Sequence, residues 1–403
     1  MKRYMLRAAK IVCVLLILAV CIGVLQEFVL CHADHNRERV KGFYQEPKNS
    51  LDVVYIGASD VYSDIAPGYA YKRDGITGYL FATQADSILN YKSQLDNVLS
   101  RQKDALIVVE LNGAVYGDKE EVTKEANLRN YSDNAPLNFN KIQWVAENIK
   151  ENHAEYLFPI MKYHGIWNDT VEESKDKNDP DKIVYKTTNE FESEAVYRQT
   201  IINDKQRGYN YLKGILNWPV VFRSPQKSMN SRLAANANSK KPLTEIEEKA
   251  LRDLLQYCRD KELKNVVFAR FPHIVTEKTY ERFERSNTVG DIVAEYGFDY
   301  LNFERDIALT GLNETEDFYN LDHLNVYGQQ KFTAYVIDYL KEHYGLAPRT
   351  LDSKLKAEWD ACADYYDAYV RYNKALMNSN INLELSENYQ LIEKLKGYLP
   401  DKV

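Results

Sequence analysis

Three short apolar runs constrain this chain more than any other feature: Leu51 to Gly57 (LDVVYIG), Ala105 to Leu111 (ALIVVEL) and Asn265 to Phe271 (NVVFARF). Each is rich in β-branched residues, too short for a helix, and followed by glycine or polar residues, which is how a strand buried on both faces reads. A further run, Phe298 to Phe303, has the same character. Helical periodicity fills the intervals: Asp86 to Ser100, Thr244 to about Leu263, Tyr280 to Tyr296 and Tyr327 to His343. Thr244 with Glu247 three residues on is a capping box at the second of these. Strands alternating with helices predict an α/β fold, a parallel sheet with helices on both faces. Ligands of such sheets bind beyond the carboxyl ends of the strands, so function is expected on the loops that leave them.

Two stretches interrupt the alternation. Val171 to Lys186 is dense in Lys, Asp and Glu, and Ser224 to Lys241 is rich in Ser, Asn and Lys. They read as exposed loops bounding a mostly helical insertion from about Ser132 to Lys241. Residues 351–403 read as a helical tail whose Trp359, Tyr365, Tyr366, Tyr369 and Tyr372 recur at a spacing suited to packing on the core. The α/β body then covers residues 37–350, entered through a charged stem (Arg37, Glu38, Arg39, Lys41).

The N-terminus directs the chain to a membrane. Lys2, Arg3, Arg7 and Lys10 precede Ile11 to Leu25, fifteen residues without a polar side chain. Fifteen helical residues reach only about 22 Å of a roughly 30 Å hydrocarbon core, so a span is expected to continue through Gln26 and Glu27 to Cys31. With the positive flank inside, residues 1–36 form a cytoplasmic stub and a single-pass anchor in the cell membrane, and the body is extracytoplasmic. The competing reading is a signal peptide cleaved near Cys31-His32-Ala33, which would make the body secreted.

Charge narrows the function further. With 52 basic and 59 acidic residues the net charge is −7, the wrong sign for displacing counterions from a phosphate backbone, and no nucleic-acid partner is expected. The body carries two cysteines, Cys258 and Cys362, with no metal-site spacing around them, and they read as buried thiols.

Two features at predicted strand ends carry chemistry. Gly57-Ala58-Ser59-Asp60 sets a serine on the loop after the first core strand, where a base and backbone N–H groups facing an oxyanion would make it a nucleophile. The stretch Asp317 to Gly328 (DFYNLDHLNVYG) sets His323 among carboxylates just before the last core helix. The other histidines, His273 included, show no comparable surroundings in the sequence.

Together with the run Phe43 to Ser59 (FYQEPKNSLDVVYIGAS), Asp317-Phe318-Tyr319, His323-Leu324-Asn325 and Gly328, these features make the chain resemble the SGNH/GDSL hydrolase superfamily, in particular its membrane-anchored Gram-positive members, over roughly residues 43–345. The resemblance implies a flavodoxin-like sheet with Ser59 as nucleophile and first oxyanion donor and His323 as general base. The family's acid stands three residues before the histidine, where this chain has Asn320. The charge is therefore expected from Asp322 or Asp317, or else His323 and Ser59 work as a dyad. Asn112 matches the oxyanion asparagine, although Glu110 replaces the glycine two residues before it. The other oxyanion glycine, expected after Gly78 to Ala82, is not recognisable; Thr83 and Gln84 occupy its place and are expected to donate to the oxyanion instead.

The implied activity is that of a cell-surface serine esterase or O-acyltransferase acting on acyl esters, foremost acetyl groups of cell-envelope glycans, with no metal or other cofactor. Similarity to the teichoic acid D-alanylation protein and to alginate acetylation proteins implies a membrane-embedded acyltransferase as partner. The departures from the family pattern leave a second reading open, a catalytically silent scaffold of the same fold that binds glycan or that acyltransferase. A lipase or thioesterase would require an apolar acyl channel.

Overall fold

The structure is a computed structural model and describes residues 2–29, 35–163, 172–175, 183–186, 210–218, 220–224 and 226–378. The four apolar runs become β1 (Val53–Gly57), β3 (Leu106–Glu110), β4 (Val266–Arg270) and β5 (Tyr300–Asn302), which with β2 (Gly78–Ala82) form a five-stranded parallel sheet in the order β2-β1-β3-β4-β5. That is the doubly wound order whose crevice lies between β1 and β3, where the chain reverses its direction of winding. Strand β2 was not foreseen as a strand: a five-residue run opening on glycine has no alternation to mark it. It becomes one because Leu51 to Gly57 offers it a complete parallel ladder.

Alternate residues of each strand feed two separate cores. Val53, Tyr55, Leu80, Val108 and Val267 face Phe332, Val336, Ile337 and Leu340 of α8 (Val326–Tyr344) and Tyr365, Tyr366 and Tyr369 of α9 (Ser353–Asn378). On the other face Val54, Ile56, Phe81, Val109 and Phe268 meet Tyr91 and Leu95 of α5 (Ile88–Arg101), Leu251 and Leu254 of α6 (Glu245–Asp260), and Val289 and Ile292 of α7 (Tyr280–Glu295). The capping box at Thr244 forms with both of its arms. Cys258 and Cys362 are buried and unbridged.

The charged stem is not a solvated linker. It is α2 (His35–Gln45), packed on the sheet with Arg37 and Arg39 buried. Arg39 donates through Nε to the Ala82 carbonyl at 3.0 Å and lies 3.8 Å over the Tyr62 ring, so its charge is absorbed by a carbonyl and an aromatic face. Segment 210–218 covers the same sheet edge, Lys213 accepting from Leu80 N–H at 3.1 Å. Its ammonium pairs at 2.7 Å with Glu46, both fully buried, beneath Trp359 of the tail helix. The stretch from 132 to 241 is helical over Phe139–Asn148, His153–Leu157, Pro159–Lys162 and Asn230–Leu233, but Glu172–Lys175 and Ile183–Lys186 form an antiparallel pair where an exposed loop was expected. Tail residues 379–403 and the Tyr372 side chain lie outside the described residues, as does the Cys31-His32-Ala33 site.

Helix α1 (Lys2–Val29) contains one segment, Tyr4–Leu25, long and apolar enough to cross a membrane; its 22 residues reach about 33 Å. Compared with the sequence expectation the segment is displaced toward the N-terminus and includes Arg7 and Lys10.

Just before α5, Asp86 is fully buried and accepts from Asn90 at 2.7 Å and Gln94 at 2.6 Å. Burial pushes its carboxyl up to about 7 despite those donors. A carboxyl raised by folding favours the native state while protonated, so its contribution is present below about pH 4 and is lost as pH rises to about 7. Asp86→Asn is therefore expected to melt higher than the parent at pH 8, with the gap closing at pH 4; an equal gap at both values would contradict this.

Candidate active site

The carboxyl ends of the strands bring the chemistry together. Ser59 is the first residue of α3 (Ser59–Asp64), directly after β1, and is partly exposed. Gly57 makes that turn possible: a Cβ there would sit 2.8 Å from Val61 Cγ2 and 3.0 Å from Glu110 Cβ. Asn112 follows β3, Arg270 ends β4, His273 follows it, and Glu304 follows β5.

His323 reaches the same edge on a loop that the following helix holds in place. Phe318 and Leu324 form an antiparallel bridge, Tyr319 N–H donates to the His323 carbonyl at 3.0 Å, and Leu324 N–H donates to Asp64 Oδ1 at 2.9 Å. Asn325 caps α8, accepting from Tyr327 and Gly328 N–H. Gly328 is required for this closure: a Cβ would lie 2.2 Å from the Asp317 carbonyl oxygen, which accepts the Asn325 N–H at 2.9 Å. Gly328→Ala is expected to cost about 2 kcal/mol or more, read as a lower denaturant midpoint.

Within the loop, Asn320 Oδ1 accepts from Asp322 N–H at 2.9 Å and meets His323 Nδ1 at 2.9 Å. The backbone donor settles which end of the amide faces inward, so the Asn320 oxygen requires Nδ1 to carry the proton. Nε2 then holds a lone pair. It is buried and has no hydrogen-bond partner among the described residues. The Tyr319 ring stacks on the imidazole at 5.2 Å, and burial lowers the proton affinity of His323 more than the Asp60 charge raises it, which keeps the ring neutral near pH 7.

Behind Ser59 lies a buried ionic network. Asp60 accepts from Asn112 Nδ2 at 2.7 Å and pairs with His273 Nε2 at 3.1 Å; its Oδ1 also lies 3.9 Å from His323 Nε2. His273 Nδ1 is 3.2 Å from Glu304. Arg270 donates to Asn112 Oδ1 at 2.6 Å and Glu304 at 3.2 Å, and reaches Glu110 at 3.5 Å. Burial and the Arg270 charge work against a protonated His273, but the hydrogen bonds to Asp60 and Glu304 outweigh them and push it up to about 10. Burial alone would raise Asp60; the His273 bond and the surrounding cations hold it well below the carboxylate range. Glu110 is raised by burial and by the Asp60 charge.

The structure thus brings Ser59, Asn320 and His323 to one edge, with no Ser59–His323 hydrogen bond among the described residues. Asp322 lies 3.9 Å from Arg282 and makes no contact with Nδ1; Asp317 is buried, accepting from Lys331 and Asn313 N–H, each at 2.7 Å. The Asn112 carboxamide is held between Asp60 and Arg270. Thr83 N–H donates to the Gly57 carbonyl at 3.3 Å, and Gln84 N–H to Asn36 Oδ1 at 2.8 Å, so the backbone N–H of each residue expected to serve the oxyanion is already engaged.

His273 corrects the sequence reading that it lacked suitable surroundings. Its signal was an Arg and a His within three residues of the end of a buried run, with Glu304 just after the next strand. A cavity of about 750 Å³ lies elsewhere, between α5, α6 and the Phe139–Asn148 helix, and none of the site residues lines it. No family model matches the chain, and no curated protein matches its sequence.

Proposed function

We propose that the body of this chain is a serine esterase or O-acyltransferase of the SGNH/GDSL type, anchored by α1 and facing outward, acting on acyl esters of cell-envelope glycans, acetyl esters foremost. The observation that carries the reading is the His323–Asn320 bond at 2.9 Å, which fixes the Nδ1–H tautomer and leaves Nε2 bare at the sheet edge that holds Ser59. A neutral amide performs the orienting half of the acid's task, as it does in Cys-His-Asn sites.

In the proposed cycle Ser59 Oγ attacks the ester carbonyl carbon while its proton passes to His323 Nε2. The carbonyl π pair moves to oxygen, where the Ser59 N–H faces it. Collapse breaks the bond to the leaving alkoxide, which takes the proton from Nε2 and departs as an alcohol. Water or a glycan hydroxyl then resolves the acyl-serine by the same steps in reverse, giving hydrolysis or transfer.

The silent-scaffold reading has one observation in its favour: Asn112, the expected oxyanion donor, is tied to Asp60 and Arg270. The full-length protein in detergent decides between them, with a short-chain chromogenic acetyl ester and a serine-directed phosphonate. The enzyme reading expects turnover and a single phosphonate adduct mapped by mass spectrometry to Ser59. Absence of both would favour the scaffold.

A further inference from the structure

A base whose Nδ1 partner is an uncharged amide must find the counter-charge for its imidazolium elsewhere, and the geometry places a carboxylate on the opposite side of the ring. We propose that Asp60 is the counter-ion of His323, a positioning residue that supplies from the Nε2 side the negative charge that Asn320 lacks on the Nδ1 side. This rests on the reading of Ser59 and His323 as nucleophile and base.

The supporting geometry is specific. Asp60 Oδ1 lies 3.9 Å from the unpartnered Nε2, inside the range where an opposite charge favours protonation. That is too long for a hydrogen bond, so the lone pair remains free to take the Ser59 proton. The carboxylate cannot turn away, because Asn112 holds Oδ2 at 2.7 Å and His273 holds Oδ1 at 3.1 Å. His273 is in turn fixed from its other side by Glu304 at 3.2 Å and by the Phe271 carbonyl at 2.8 Å. The network therefore has a purpose beyond packing: it maintains an ionised carboxylate in a buried place next to the serine turn.

The charged and titratable groups facing His323 are Asp60 from α3, His273 from the loop after β4, and Asp322 and Tyr319 from its own loop. Asp322 is shared with Arg282 at 3.9 Å, which weakens its hold on the imidazole. His273 opposes protonation of His323, but it sits on the far side of the carboxylate that it holds.

The test is the titration of His323 itself in the full-length protein, followed by NMR of 13C-labelled histidine side chains and assigned with His323→Gln. Asp60→Asn is expected to move the His323 midpoint down by about one pH unit or more, and Asp322→Asn by less. Asp60→Glu, which keeps the charge, is expected to leave the midpoint nearer that of the parent than Asp60→Asn does, a rescue by charge that a purely structural Asp60 would not produce. If Asp60→Asn does not fold, the double variant Asp60→Asn/His273→Gln removes both charges together and is expected to shift the midpoint downward by a smaller amount. An unmoved midpoint, or an equal effect from Asp322→Asn, overturns the inference. The measurement needs no turnover, so a protein without esterase activity would fail the functional reading while the titration still reports on Asp60.

Discussion

Replacing His323 by alanine is expected to lower kcat for acetyl-ester hydrolysis by about a thousand- to ten-thousand-fold while leaving KM nearly unchanged. At the serine edge the imidazole offers a neutral base whose Nε2 is unpartnered among the described residues, whereas Asp60 is held ionised by two donors and Asp64, which accepts the Leu324 N–H through Oδ1, is raised well above the carboxylate range by burial and by the Asp60 charge. With neutral His323 required as base, activity is expected to fall on the acid side as the ring protonates. Burial lowers that transition below the ordinary histidine range, so the loss should come at lower pH than for an exposed imidazole. Asn320→Asp places a carboxylate against Nδ1 and should shift the acid limb to higher pH. A kcat reduced less than tenfold in folded His323→Ala would remove the histidine from the mechanism.

Arg270→Met is expected to destabilise the fold by about 3–5 kcal/mol at pH 7.5, the cost of breaking a buried ionic cluster from one side. Arg270 is 1% exposed and pairs with Glu304 and Glu110, themselves 1% and 0% exposed. Without it Glu304 loses the charge that most opposes the effect of burial, and its carboxyl rises. A carboxyl depressed by the native cation contributes stability above its unfolded value, and that contribution fades as acid protonates it. The gap between parent and variant should therefore be widest at neutral pH and narrow toward pH 4, measured by denaturant unfolding at both values. A penalty under 1 kcal/mol, or one that ignores pH, would show that the network is not an ionic brace.

The strands β1, β3 and β4, the long helices and the capping box at Thr244 were legible because period and capping are local properties that survive in a linear string. Elements that depend on distant partners were not. Strand β2 depended on a neighbour to complete its ladder, and α2 depended on a carbonyl and a ring to absorb Arg39. The antiparallel pair at Glu172–Lys175 and Ile183–Lys186 is likewise a pairing, invisible in the composition of either half. At the site, the sequence marked Ser59 and His323 through their places after a strand and before a helix. It pointed to Asp322 and Asp317 as acids by proximity in the chain, whereas hydrogen bonding assigns the Nδ1 position to Asn320.

What the sequence determined by itself, then, is the alternation of buried strands and amphipathic helices, the apolar N-terminal segment, and the serine and histidine at strand ends, since each depends on neighbours within a few residues. Which polar groups meet was decided only by the tertiary structure: Asp60 finds His273 across 213 residues and Arg270 finds Glu110 across 160. Those pairings arise because the parallel sheet aligns the carboxyl ends of β1, β3, β4 and β5 on one edge, and because a buried charge is tolerated only where folding delivers its partner.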